Sequence, residues 1–258
     1  MTKIALVTGA SRGLGKSTAF NLAKKGVDVI VTYHRNAEET AKVVAEIEAF
    51  GAKAVALQLD TATTKTFDSF AAQLQQALKD NWKTEHFDFL VNNAGTGVHS
   101  SFAETTEEDF DHLMNIHVKG VFFLTQKLLP LINDGGRIVN VSTGLTRIIF
   151  PGYAAYASMK GAVETLTLYM AKELGSRQIA VNAVAPGAIE TDFPGGAVRD
   201  NPEMNKQIAS LTALGRVGLP NDIGGAMSTT GYAYASLLSE DNKWVNAQRI
   251  EVSSGQSI

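Results

Sequence analysis

Near its start the chain carries the stretch IALVTGASRGLG, residues 4–15, in which a short apolar run leads into a glycine-rich turn. The apolar run is typical of a buried strand, and a helical pattern follows from Gly13. Gly9, Gly13 and Gly15 let the backbone turn tightly, and the next helix offers its free N–H groups to phosphate oxygens. Such a turn also forms for backbone reasons alone, and its spacing is not G-x-G-x-x-G. Its place between the first strand and the first helix favours a site for a dinucleotide pyrophosphate.

Short apolar runs alternate with longer amphipathic segments along the rest of the chain. Further strands are predicted at 27–32, 53–59, 87–91, 137–141, 179–184 and 244–252. Helices are predicted at 13–25, 36–50, 65–79, 105–131 and 156–174, with capping boxes at Asn36–Glu39 and Thr105–Glu108. The alternation predicts an α/β fold, a doubly wound parallel sheet of about seven strands with helices on both faces. We expect one domain over residues 1–258, with an irregular substrate loop at 187–218.

The composition excludes several classes of protein. Lys and Arg number 23 and Asp and Glu 26, so a net charge of −3 argues against a nucleic-acid partner. The 258 residues contain no cysteine, which excludes disulfides, thiolate metal sites and a cysteine nucleophile. No apolar stretch approaches a membrane span and no targeting segment is visible, so we expect a cytoplasmic protein without a membrane partner.

The histidines show no metal-ligand spacing, and we expect no metal. Each is predicted to lie on the surface or in a loop: His34, His86, His99, His112 and His117.

Charge near the second strand indicates which dinucleotide is bound. An NAD site usually carries Asp or Glu on the adenosine ribose, about 20 residues after the glycines. The second strand ends in Thr32-Tyr33-His34-Arg35-Asn36, which contains no carboxylate. Arg12 in the turn and Arg35 at the strand tip suit a 2′-phosphate, which guanidinium groups bind through paired N–H donors. We therefore predict NADP(H) rather than NAD, the alternative being that Arg35 is a solvated turn residue.

Tyr156 and Lys160 form a candidate acid–base pair. They are four residues apart in a predicted helix, so they share a face. A nearby ammonium favours the phenolate and lowers the pKa of a tyrosine, which would make Tyr156 a general acid near neutral pH. On spacing alone the pair is unspecific, because Tyr and Lys fall at this interval by chance.

Several motifs that occur in a fixed order make the functional prediction more specific. The turn at 8–15 is followed by Asn92-Asn93-Ala94-Gly95, then by Tyr156-x-x-x-Lys160, and then by Pro186-Gly187. This pattern resembles the short-chain dehydrogenase/reductase family in its single-domain form, which has a Rossmann-type sheet. The resemblance covers nearly the whole chain, and its motifs are individually weak but jointly strong.

The resemblance implies a role for each matching position. Tyr156 would donate a proton to a substrate carbonyl as hydride arrives from the nicotinamide, and Lys160 would hold the nicotinamide ribose and depress the Tyr156 pKa. Asn115 matches the asparagine that holds a water in a proton relay. Asp60 matches a residue on the adenine, and 186–191 matches the stretch on the nicotinamide. The full predicted cofactor-binding set is Gly9, Ser11, Arg12, Gly13, Leu14, Gly15, His34, Arg35, Asp60, Asn92, Ala94, Gly95, Tyr156, Lys160, Pro186, Gly187, Ile189 and Thr191.

One position departs from the family pattern. The family usually has a serine after the fifth strand that hydrogen-bonds the substrate oxygen. Here Ser142 precedes Tyr156 by 14 residues and Thr143 by 13. The shorter interval slightly favours Thr143, whose hydroxyl can donate the same bond. Ser142 serves instead if the loop carries one extra residue.

The sequence therefore predicts an NADP(H)-dependent oxidoreductase acting on a small carbonyl or alcohol. Similarity to members that reduce 3-oxoacyl thioesters is the nearest hint of a substrate. The alternative is an NADP(H)-binding sensor without turnover. The resemblance also implies a homotetramer or homodimer. Pro194, Gly195 and Gly196 suggest that the substrate loop forms a mobile lid.

Overall fold

The structure is a computed structural model that describes residues 2–193, 195–227, 237–239 and 242–258. Pro194, one of the residues behind the predicted lid, lies outside this set. The strands are β1 Ile4–Val7, β2 Asp28–Tyr33, β3 Ala54–Gln58, β4 Phe87–Asn92, β5 Ile132–Val141, β6 Ala180–Pro186 and β7 Arg249–Val252. The helices are α1 Gly13–Ala23, α2 Ala37–Ala49, α3 Phe67–Trp82, α4 Glu107–Met114, α5 Gly120–Leu128, α6 Ala154–Glu173, α7 Ala197–Asp200, α8 Pro202–Ser210 and α9 Pro220–Met227.

The strands of the described chain form one sheet in the order β3-β2-β1-β4-β5-β6-β7. Every neighbouring pair is parallel. The predicted doubly wound sheet of about seven strands is thus confirmed. The strand order reverses direction between β1 and β4, and ligands of such sheets bind outside the carboxyl ends of the strands at this switch point.

The core lies on both faces of the sheet, because strand side chains alternate. In β1, Ala5 and Val7 pack with α1 and α2, whereas Ile4 and Leu6 pack with α3, α5 and α6. Both sets are almost fully buried, which is typical of a parallel sheet covered by helices on two sides. The rigid core holds the loops at the carboxyl edge, where the predicted site residues lie.

Several predicted boundaries are wrong in detail. The helix expected at 105–131 is interrupted by a π-helical turn at Asn115–Lys119 and ends in a short 3₁₀ turn. Its cap is Thr106, whose hydroxyl accepts a hydrogen bond from the Asp109 N–H, one residue later than the predicted capping box. Asn36 is the N-cap of α2 as expected, but its side chain makes no capping hydrogen bond.

Two later segments also differ. The stretch 187–218 contains α7 and α8, so it is more regular than predicted. Only Arg249–Val252 of the predicted last strand is paired. These differences arise where pairing and packing with distant segments, rather than local pattern, decide the element. None of the helices in the described residues has the length and apolarity needed to cross a membrane.

Candidate active site

The loops that follow β1 and β4 are joined by hydrogen bonds. The Thr8 hydroxyl accepts from the backbone N–H groups of Asn93 and Ala94, both at 2.9 Å. The side-chain amide of Asn93 donates to the carbonyl oxygens of Thr8 and Gly9 at 2.8 and 3.1 Å. The glycine-rich turn is therefore held in place by the segment 92–95. Thr8 and Asn93 were absent from the predicted site, because both act through contacts more than 80 residues apart in sequence.

The glycines of the turn are required by close approach. Gly9 has φ +63° and a Cβ there would lie 2.9 Å from the Ala94 Cα. A Cβ on Gly15 would lie 2.4 Å from the carbonyl oxygen of Gly9. Leu14 packs against the core, and Ser11 lies in the turn itself. No side chain caps α1, so its first N–H groups face the turn as an anion site requires.

Two guanidinium groups lie in the loops after β1 and β2. Arg12 lies 3.6 Å from Asp192, which connects the glycine turn to the segment after β6. Arg35 is exposed. His34 lies 3.9 Å from the Asp60 carboxylate, and hydrogen bonds from Thr63 and Ala62 lower the pKa of Asp60 against the opposing effect of burial. His34, Arg35 and Asp60 therefore lie close together where β2 and β3 end, whereas Arg12 contacts the segment after β6.

Asn92 differs from the other predicted cofactor residues, because its side chain lies within the sheet. The amide donates to Asn140 at 2.8 Å and to Thr125 at 3.0 Å. Asn140 in turn donates to Thr167 of α6 at 2.9 Å. These buried amides and hydroxyls connect β4 and β5 to α5 and α6. The Asn92 side chain therefore holds these elements together rather than facing a ligand.

The segment after β6 contacts the C-terminal residues and the loops after β1 and β5. Gly187 packs so closely on Ser253 and Gln256 that a Cβ would lie within 2.9 Å of both. Pro186 ends β6, and Ile189 forms an isolated bridge to Gly218. Thr191 lies beside Gly13, whose added Cβ would be 3.8 Å from the threonine methyl. Thr191 therefore borders the glycine turn, whereas Pro186 and Gly187 lie beside Gly144 in the loop after β5.

Tyr156 and Lys160 lie on the inner face of α6, as their spacing predicts. Both are buried, and the Lys160 Nζ donates to the carbonyl oxygen of Val141 at 2.7 Å. The ammonium lies 5.8 Å from the centre of the Tyr156 ring. Phe193 also packs against that ring, with centroids 5.6 Å apart.

The expected depression of the Tyr156 pKa is not found. Burial raises the pKa of Tyr156, and the nearby Thr143 hydroxyl only partly offsets this effect. Burial also lowers the pKa of Lys160 to about 7, because the ammonium loses most of its hydration. Burial thus disfavours both the phenolate of Tyr156 and the ammonium of Lys160.

Ser142 and Thr143 have different surroundings. The Ser142 hydroxyl donates to the Glu164 carboxylate at 2.6 Å, so it is directed away from Tyr156. The Thr143 hydroxyl accepts from the Leu145 N–H at 3.2 Å and acts on Tyr156. Since that bond uses an acceptor position of Thr143, its own O–H is left as a donor. The geometry favours Thr143 over Ser142 beside the tyrosine.

Asn115 and His117 lie in the same π turn but in different environments. Asn115 is half-buried, and its side chain makes no hydrogen bond to any described residue. His117 is 1% exposed, so its predicted place on the surface or in a loop is wrong. Its Nε2 lies 2.8 Å from the Thr96 carbonyl oxygen, and its ring meets the Tyr156 ring edge to face at 5.3 Å.

His117 is held neutral by these surroundings. A carbonyl only accepts, so Nε2 carries the hydrogen, and the buried Nδ1 has no partner among the described residues. Burial and the charge of Lys160 hold the pKa of His117 well below its ordinary value. Sequence reasoning missed this residue, although a polar side chain two positions from Asn115 in an apolar run was a signal.

Apolar side chains pack around Tyr156. Its partly buried neighbours in this cluster are Val98, Met114, Val118, Leu145, Tyr153, Ala155 and Phe193. The His99 ring meets the Tyr153 ring edge to face at 5.0 Å, and burial raises the pKa of Tyr153. Ile149 and Phe102 are exposed near these segments in sequence. No group of acidic and histidine side chains in the described residues is placed to hold a metal ion.

Comparison with known proteins agrees with this geometry. The family model described as enoyl-(acyl carrier protein) reductase matches residues 9–257. The hydroxynaphthalene reductase-like protein Arp2 of Metarhizium brunneum is 37% identical over 98% of this chain and 94% of its own.

Two solved structures are also similar to this chain over nearly its whole length. The angucycline C-6 ketoreductase LanV with bound NADP has a TM-score of 0.91 at 37% identity, covering 99% of this chain and 95% of LanV. A short-chain dehydrogenase from Burkholderia cenocepacia in complex with NADP has a TM-score of 0.87 at 32% identity, covering 99% and 98%. With the motifs, the sheet order and the Tyr156–Lys160 geometry all in agreement, the chain belongs to the short-chain dehydrogenase/reductase family.

Proposed function

We propose that this protein is an NADP(H)-dependent carbonyl reductase in which Tyr156 is the general acid and base. The observation that carries the proposal is the meeting of Tyr156, Lys160 and Thr143 at the carboxyl edge of the sheet, beside the glycine turn. The sequence similarity to reductases over the whole chain supports it.

The residues present fit a bound NADP(H). The close-packed glycine turn and the uncapped start of α1 would hold the pyrophosphate. Arg12 and Arg35 would bind the 2′-phosphate, and the segment 186–191 would border the nicotinamide. When bound, NADPH supplies the hydride that reduces the carbonyl carbon.

The side chains of this protein supply the proton and the orientation. Thr143 donates a hydrogen bond to the substrate oxygen, and Tyr156 transfers its phenolic proton to that oxygen as negative charge develops on it. The raised pKa of Tyr156 keeps that proton in place before reaction. Charged Lys160 stabilises the phenolate that remains until the proton is replaced.

The substrate that fits best is a fused-ring aromatic ketone. The apolar border of Tyr156 includes the aromatic rings of Tyr153 and Phe193, and Arp2 and LanV carry names of reductases acting on fused-ring compounds. A 3-oxoacyl thioester is the second candidate, because the matching family model is described as a reductase of another acyl thioester, the enoyl form on acyl carrier protein. Turnover of α-tetralone against an acetoacetyl thioester separates the two, and faster reduction of the thioester would overturn the preference.

The proposal is tested by NADPH consumption with Tyr156→Phe. Loss of the proton donor should lower kcat by about 10²–10⁴-fold while NADPH binding, followed by its fluorescence, is unchanged. Tyr169→Phe, an exposed position on the same helix, is the matched control and should retain wild-type activity. Intact NADPH binding without turnover on any ketone would instead support a sensor.

Cofactor choice has its own test in Arg12→Ala and Arg35→Ala. Each removes a charged partner of the 2′-phosphate and should weaken NADPH binding about tenfold while leaving NADH binding unchanged. Titration of both cofactors measures this. If wild-type protein binds NADH more tightly than NADPH, the assignment of NADP(H) is wrong.

A further inference from the structure

A group of charged side chains contacts the backbone carbonyl of Thr143. Arg249 at the start of β7 donates from Nη2 to the Thr143 carbonyl oxygen at 3.2 Å and from Nε to Glu164 of α6 at 2.7 Å. The two side chains are 27% and 20% exposed. Thr143 thus has its hydroxyl towards Tyr156 and its carbonyl held from the opposite side.

Glu164 ties the rest of the loop to the same point. One oxygen of its carboxylate accepts from the hydroxyls of Ser142 at 2.6 Å and Thr146 at 2.9 Å, in addition to Arg249. The Thr146 hydroxyl also lies 3.1 Å from the Thr143 carbonyl oxygen, and it accepts from Arg249 Nη2 at 2.9 Å. The residues on both sides of Thr143 are therefore bound to a single carboxylate on α6, the helix that carries Tyr156.

The network continues to the end of the chain. Glu251 accepts from Arg147 at 2.5 and 2.8 Å and from Arg249 at 3.0 Å. Arg147 also donates to the Gln256 carbonyl oxygen at 2.8 Å, and the Gln256 side chain accepts from the Ala188 N–H at 2.9 Å. The loop that carries Thr143 is thereby connected to the segment after β6.

We propose that Glu164 and Arg249 are positioning residues that set the place of the Thr143 hydroxyl relative to Tyr156. The inference rests on the proposed function, since it concerns the residue that orients the carbonyl. A displacement of about 1 Å in an orienting group costs up to a hundredfold in rate. Without the pair, the hydroxyls of Ser142 and Thr146 and the carbonyl oxygen of Thr143 would lose these long-range partners, and the Thr143 hydroxyl would lose its fixed direction.

A purely structural role is the alternative, and it makes a different prediction. Partly exposed ion pairs add little to stability. If the pair only stabilised the fold, its loss would affect activity equally whether or not Thr143 has a hydroxyl. If it acts through Thr143, its loss should have no further effect once that hydroxyl is gone, because coupled residues are non-additive.

The test is a double-mutant cycle of Glu164→Gln and Thr143→Val, measured as kcat and NADPH affinity on α-tetralone. Glu164→Gln retains an oxygen that can accept from Ser142 and Thr146 but removes the charge. We expect it to lower kcat about tenfold in the wild-type background and less than about twofold in the Thr143→Val background, with NADPH affinity unchanged. Arg249→Lys keeps the positive charge but not the guanidinium group that contacts two partners, so it should lower kcat by an intermediate factor. It replaces Glu164→Gln in the cycle if that variant does not fold.

Asp134→Asn is the matched control. It removes the carboxylate from another arginine pair with the same 2.7 Å separation, Arg177–Asp134, towards the opposite end of β5. Its kcat should stay within about twofold of wild type. Equal losses for Glu164→Gln in both backgrounds, or no loss in either, would overturn the inference while leaving the proposed function intact. Absence of turnover in the wild-type protein would overturn both.

Discussion

At the scale of single residues, the buried Lys160 dominates the electrostatics of the site. Its ammonium has one described hydrogen bond, to the Val141 carbonyl oxygen, and is otherwise surrounded by protein. Burial therefore lowers its pKa from an ordinary 10.5 to about 7. A group that is costly to bury yet lies beside Tyr156 fits a role in chemistry rather than in stability.

Lys160→Met should stabilise the protein without cofactor at neutral pH. Between about pH 7 and 10.5 the unfolded chain holds the lysine proton and the folded chain does not, so wild-type stability rises with pH across this window. Below about pH 7 both the folded and the unfolded chain hold the proton, so the full free-energy cost of burying the ammonium remains. The variant should thus have a higher Tm at pH 7, with an advantage that shrinks as pH approaches 10.5.

Thermal unfolding over this pH range measures the effect. Lys172→Met, at an exposed position of the same helix, is the control and should show no such pH-dependent advantage. An advantage for Lys160→Met that stays constant with pH would contradict the expected cost of burying the charge.

At the scale of elements, the π turn between α4 and α5 brings His117 against the segment after β4. A Cβ on Gly95 would lie 2.8 Å from the Cε1 atom of His117. π turns inside helices are rare and occur frequently at functional sites. Gly95, predicted as a cofactor contact, is thus also required by the packing of two elements.

Gly95→Ala should destabilise the protein by about 1–3 kcal/mol, as overpacking of a buried contact does. In a His117→Asn background, where the ring is absent, the same substitution should cost less than about half as much. Urea unfolding of the single and double variants provides the measurement.

Gly161→Ala is the matched control for this pair. Gly161 lies within α6 with nothing within 4 Å of an added Cβ, so alanine should raise stability by about 0.5–1 kcal/mol. Equal costs of Gly95→Ala with and without the imidazole would show that His117 is not the obstacle.

At the scale of the whole molecule, α5 and α6 cover the same face of the sheet and still expose large apolar side chains. Phe122 and Phe123 lie on α5, and Leu168 and Tyr169 lie on α6. Exposed apolar surface of this kind marks association sites. The oligomer implied by the family resemblance would use these two helices.

We expect sedimentation equilibrium to show a homodimer or homotetramer at micromolar concentration. Phe123→Asp would place a charge in the contact and should shift the protein towards monomer. Phe50→Ser is the control, because Phe50 is similarly exposed but packs against Phe20 of α1 on the other face. A wild-type protein that sediments as a monomer would contradict this expectation.

Local patterns in the sequence were sufficient for the fold and for choosing the candidate site residues. The period of apolar residues predicted the parallel sheet, and the spacing of Tyr156 and Lys160 placed both on one face of α6. These features depend on residues a few positions apart, so they can be read without knowing what packs where. The choice between Ser142 and Thr143 stayed open, because the two intervals to Tyr156 differ by one residue.

Only the tertiary structure decided the rest. The Glu164–Arg249 pair joins positions 85 residues apart, and His117 meets Tyr156 across two helices. The raised pKa of Tyr156 and the lowered pKa of Lys160 follow from burial, which no local pattern reports. The sequence by itself determined which groups line one edge of the sheet, whereas their partners, charge states and directions depend on contacts that form only when distant segments meet.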